Sequence, residues 1–107
     1  MTIKRIWHGW TTPGNADKYE ALLHGTVFPE IEAKHIAGYL SIELLRRDVG
    51  DEVEFITIMT FDSIANVIQF QGEDYARCYV PLPAQKVLKR WNQTADHYES
   101  RQVREYS

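Results

Sequence analysis

Apolar and polar residues change period several times along this chain, and each change marks an element. In "IKRIWHGWT", Ile3 to Thr11, residues alternate between two faces as they do on a strand. Ile3, Arg5, Trp7 and Gly9 share one face; Lys4, Ile6, His8 and Trp10 share the other. Both faces carry large apolar groups, which predicts a strand covered on both sides. "TPGN" supplies turn residues, with Thr12 or Asn15 as cap of the following helix. From Ala16 the spacing becomes helical, with Ala16, Tyr19, Leu22, Leu23, Val27 and Ile31 on one stripe. Pro29 lies inside that stripe and lacks the N–H of a helix interior, so a kink or break is expected near Phe28. Gly38 ends this section.

"YLSIELLRRD" and "VEFITIMTFD" flank "VGDE", and two β-rich runs so closely joined predict an antiparallel hairpin. The second run, Val53 to Phe61, is apolar on both faces and reads as a central strand. Asp62 or Ser63 caps a helix bearing Ile64, Val67, Ile68 and Phe70, which Gly72 closes. "EDYARCYV" reads as a turn and loop. Pro83 opens a short helix with Ala84, Val87, Leu88 and Trp91 on one face, and "TADHYESRQV" is the last strand.

The order β-α-β-β-α-β is the ferredoxin-like arrangement. Right-handed crossovers give a four-stranded antiparallel sheet of order 4-1-3-2, with both helical layers on one face. The other face would be bare, against the two-sided apolar character of the first and third strands. Packing of two sheets against each other resolves the conflict, so the α+β fold is expected as a homodimer, a dimeric α+β barrel.

The 107 residues suit a single domain spanning 1–107. Three Trp, six Tyr and four Phe are a large aromatic supply for so small a core, which points to a ligand cavity or a partner surface. A net charge of −3 disfavours a nucleic-acid partner. The single cysteine, Cys78, rules out an internal disulfide and suits a reducing, cytoplasmic setting; its default role is that of a small hydrophobe. The opening residues turn polar early for a signal peptide, and no apolar run is long enough for a membrane partner.

"IKRIWHGWTTPGNADKYEALL", "VEFITIMTFDSIANVIQFQGEDYARCYVP" and "QTADHYES" together resemble the antibiotic biosynthesis monooxygenase family of dimeric α+β barrels. The most specific matches are Arg5 to Thr11, Phe70 to Asp74, and His97-Tyr98-Glu99. The resemblance implies small homodimers with a pocket between sheet and helices. Some members oxidise polycyclic aromatic substrates with dioxygen and no metal or flavin, others degrade haem, and others isomerise or detoxify small molecules. Haem-degrading relatives place an axial His on the second helical layer. This chain has none between Ser63 and Asn92, which disfavours that branch.

The run "HYE" cannot act as a triad, because His97 and Glu99 share one strand face and Tyr98 takes the other. His97, or His8 on the first strand, is the candidate base, and the two would flank one pocket if they faced the same side. Trp10, Phe70, Tyr75 and Tyr79 are candidate ligand-binding residues. No metal site and no cofactor are expected, since two imidazoles lack an evident third ligand. The expected function is binding of a small aromatic or hydrophobic molecule, with cofactor-independent monooxygenation as its reaction. The alternatives are a non-enzymatic ligand-binding or protective protein and a plain interaction module.

Overall fold

A computed structural model of the protein describes residues 2–107. Strand β1 (Ile3–Thr11) leads through a 3-10 turn at Pro13–Asn15 into helix α1 (Ala16–Leu22), a π-helical turn (Leu23–Val27) and helix α2 (Phe28–Ala33). Strands β2 (Tyr39–Asp48) and β3 (Val53–Phe61) form the hairpin, followed by α3 (Ile64–Gln71) and α4 (Leu82–Val87). Two short strands, β4 (Arg90–Trp91) and β5 (Asp96–Glu99), complete the chain's regular structure.

The sheet order is β2-β3-β1-β4, with β5 also paired to β1, and all pairings are antiparallel. This is the expected 4-1-3-2 order with the last strand in two pieces. β4 pairs Gly9 and Trp10, and β5 pairs Ile3 to Ile6 along the same edge. Trp91 was expected on the stripe of the preceding helix and instead sits in β4. Helix α4 stops because Leu88 is already extended (φ −79°, ψ 139°), and the Lys89 N–H then donates to the Trp10 carbonyl at 2.7 Å. "TADHYESRQV" likewise yields a strand only over Asp96–Glu99.

The break expected at Pro29 becomes a wide turn. Residues upstream of the proline wind as a π-helix, which removes the ordinary i→i−4 bond that Pro29 has no N–H to make. Ser63 caps α3, its hydroxyl accepting from the Asn66 N–H. Neither Thr12 nor Asn15 caps α1; the Asn15 amide donates to the Val87 carbonyl, tying the helix start to α4.

The sheet has unequal faces. Ile3, Arg5, Trp7, Gly9 and Thr11 of β1 are buried beneath the helices, while Lys4, Ile6, His8 and Trp10 on the other face are half-buried. Beneath the helices lie two clusters, one around Trp7, Tyr19, Leu23 and Phe55, the other around Ile3, Met59, Phe61 and Val67. Gly9 makes the first possible: a Cβ there would come within 2.6 Å of the Trp7 ring. The Trp7 indole is then fixed by its N–H donating to the Asn92 carbonyl at 2.7 Å. Ile6, Ile56, Ile58 and Leu45 on the opposite face belong to neither cluster. Among the described residues, no helix is long and apolar enough to cross a membrane.

Candidate functional site

A half-open cavity of about 120 Å³ lies between the sheet and the helices, where the two core clusters meet. Leu23, Val27, Phe28 and Ile31 bring one wall from the wide turn and α2. Trp7, Thr57, Met59 and Ile42 form the sheet side. Phe70 follows from α3, and Cys78, Tyr79, Val80 and Ala84 close the end. Tyr79 is largely exposed and marks the mouth. The lining is mainly apolar, as a pocket for a small organic molecule is.

One charged residue stands on this wall. Arg5 occupies the stretch of β1 between Ile3 of one cluster and Trp7 of the other, and only 3% of it is exposed. Its Nη1 donates to the Tyr75 carbonyl and to His97 Nε2 (2.9 Å), and its Nη2 to Cys78 Sγ (3.3 Å). A guanidinium only donates, so His97 Nε2 is the acceptor and the neutral ring carries its proton on Nδ1. Burial lowers the His97 pKa, and the Arg5 charge lowers it further, so the ring is neutral at pH 7. The Tyr75 ring meets His97 edge-on, with centroids 5.1 Å apart. Burial also pushes the Cys78 thiol up against the opposing pull of Arg5, which keeps it protonated.

The open face carries a separate polar cluster. His8 Nδ1 lies 3.0 Å from Glu54, whose other oxygen accepts from Arg47 at 2.6 Å. These two partners, His8 first, hold the Glu54 carboxyl below its ordinary range. His8 stacks on Trp10 with ring centroids 6.1 Å apart, and the Arg90 guanidinium lies over the Trp10 ring at 3.8 Å. Arg90 pairs through two nitrogens with Glu52, whose carboxyl falls to about 2 because of that contact first and Lys89 second. Among the described residues, no three His, Cys, Asp or Glu side chains converge as a metal site requires.

No family model and no curated protein sequence matches the chain. Solved structures do. A Bacillus cereus protein provisionally named an antibiotic biosynthesis monooxygenase superposes with a TM-score of 0.72 at 9% identity, covering 100% of this chain and 98% of that one. The monooxygenase of the gene ActVA-Orf6 from Streptomyces coelicolor, solved with nanaomycin D, gives 0.60 at 16% identity, covering 99% and 92%. SnoaB, a cofactor-independent oxygenase from Streptomyces nogalater, gives 0.53 at 17%, covering 95% of each. The chain has the antibiotic biosynthesis monooxygenase fold.

Within that fold the candidate residues divide between two places. Phe70 and Tyr79 line the cavity. Tyr75 and His97 sit directly behind it, joined to it through Arg5. His8 and Trp10 lie on the opposite face of the sheet, because β1 turns its even-numbered residues away from the helices. His8 and His97 therefore do not flank one pocket within a single chain. Sequence reasoning missed Arg5 itself. The signal was present: a cation on the same strand face as Ile3 and Trp7, with no acid nearby in the sequence.

Proposed function

We propose that this chain is a homodimer that binds a small aromatic or hydrophobic molecule in the sheet–helix cavity and oxidises it with dioxygen and no cofactor. The apolar cavity with Arg5 on its wall, and His97 held directly behind Arg5, carries this reading. The dimer would pack the open sheet faces together, covering Ile6, Ile56, Ile58 and Leu45, which nothing in one chain covers. His8 and Trp10 would then lie in the seam, and His8 would meet a ligand only across it.

His97 is the base this geometry favours. A phenol entering the cavity would give its proton to His97 Nε2 as Arg5 turns from the imidazole to the new oxyanion. The ring carbon of that phenolate then bonds to dioxygen, and the peroxide takes up a proton. Loss of water leaves one oxygen atom as a quinone carbonyl, so the substrate supplies all the electrons and no reductant is needed. SnoaB, a cofactor-independent oxygenase of the same fold, supports this chemistry by likeness of architecture.

A second reading, ligand binding without chemistry, is favoured by one observation: Arg5 occupies the very lone pair that His97 would use. Oxygen uptake with a panel of phenols and anthrone-like compounds, in chelator, separates the two. The oxygenase reading expects uptake that His97→Ala reduces by about 100-fold or more. No uptake with any compound, alongside stoichiometric binding of one of them, would leave the binding protein.

A further inference from the structure

A buried cation normally has an anion beside it, because removing a charge from water costs several kcal/mol that neutral partners recover incompletely. Arg5 has none: no carboxylate pairs with it among the described residues, although Arg46, Arg47, Arg90 and Arg101 all have one. Of its five N–H groups, three are taken by the Tyr75 carbonyl, His97 and Cys78, all of them uncharged. Two remain without a protein acceptor among the described residues. The same residue lines the cavity, so the missing charge and the empty space adjoin.

The cavity also limits the shape of what enters. Its volume of about 120 Å³ is close to the roughly 150 Å³ of an apolar cavity known to hold benzene. One six-membered ring is of the size that fills it, and a larger molecule would extend past the exposed Tyr79 into solvent.

Resting on the reading of this cavity as a ligand site, we propose that its ligand is a single-ring compound bearing an anionic oxygen, a carboxylate or a phenolate, and that Arg5 is the counter-charge. The guanidinium presents planar N–H donors of the kind that engage such oxygens through two parallel bonds. Phe70, Met59 and Trp7 hold the ring, while the Tyr75 carbonyl and His97 keep the guanidinium in place before the ligand arrives.

Isothermal titration of the native protein with benzoate and with benzamide, its neutral counterpart of the same shape, tests the charge directly. Benzoate should bind at least about tenfold more tightly. Binding of 4-nitrophenol, whose phenolate is coloured, should lower that phenol's own titration midpoint by about one to three pH units. A benzoate preference without the nitrophenol shift assigns the site to carboxylates, and the shift without the preference assigns it to phenolates. Arg5→Met should remove the discrimination while benzamide still binds, and Arg5→Lys should restore part of it. Should Arg5→Met fail to fold, as circular dichroism would show, the native-protein comparisons decide alone. Equal binding of benzoate and benzamide with no nitrophenol shift overturns the counter-charge and leaves the cavity as an apolar site. Binding of none of the three overturns the ligand-site reading together with it.

Discussion

The two faces of the sheet bury one charged side chain each, Glu54 on the open face and Arg5 beneath the helices. Glu54 is closed in by residues of its own sheet, His8 directly across from Ile56 on β1 and Arg47 paired with it on β2. Its charge is answered within the chain. Arg5 is held by a carbonyl, an imidazole and a thiol, and its charge is not answered. A self-contained ion cluster needs nothing more, whereas a fixed cation without an anion beside an apolar cavity is what the proposed ligand would answer. The contrast separates scaffold from site more sharply than any count of aromatic residues.

Four measurements would break or sharpen that contrast. The largest effect is expected beneath the helices, where Phe55 is fully buried in the cluster that walls the cavity. Phe55→Ala should cost about 3–5 kcal/mol in urea unfolding, and a loss near 1 kcal/mol would mean a far looser core. On the open face, Ile58→Asp should leave the single chain folded and weaken the proposed dimer by about 100-fold or more, roughly 3 kcal/mol. Light scattering across a dilution series reads this; an unchanged dimer would place the seam elsewhere. Ser63→Ala removes the hydroxyl that accepts from the start of α3 and should cost about 1 kcal/mol, seen as a lower thermal midpoint.

The subtlest test is the acid limb of stability. His97 and Glu54 are both held below their ordinary pKa values, 6.5 and 4.5, so the unfolded chain protonates first in each case. Stability contributed by His97 is full above about pH 6.5 and declines as pH falls through the folded value. That of Glu54 begins to decline only below about pH 4.5. Unfolding free energies followed from pH 8 to 3 should therefore show two stages. His97→Gln should flatten the first, while Glu54→Gln should reduce the second without removing it, since the Glu52 carboxyl is also held low; a first stage that survives His97→Gln would detach His97 from this role.

The topology was legible because alternation and helical spacing follow from backbone geometry alone. Strands β1 and β3 look apolar on both faces: each has a neighbour on either side and helices over one face, and carries isoleucines on the open one. That same property hid which face would receive the helices. The deciding residue was Gly9, which leaves room for the Trp7 ring and Leu88 on that side, and strand alternation then puts His8 and Trp10 on the other. Arg5 escaped notice for a different reason. Its partners Tyr75, Cys78 and His97 lie 70, 73 and 92 positions away, and none of them is an acid that a search for charge pairs would find. The split of the last strand was equally hidden, because Trp91 satisfies a helical stripe as well as it satisfies a strand opposite Gly9.

The wide turn at Leu23–Val27 bears on how much length this helix can lose. A π turn is what an α-helix becomes when one residue is inserted and everything downstream keeps its orientation. Gly25 and Thr26 are exposed, and a side chain added at Gly25 would touch nothing. Deleting either one would draw Pro29 into ordinary α geometry, where it has no N–H to give and its ring meets the carbonyl four residues before it. The cost, about 3 kcal/mol or more, would fall on the wall that Phe28 and Ile31 form, so the surplus residue is what lets a proline sit within the helical side of the cavity.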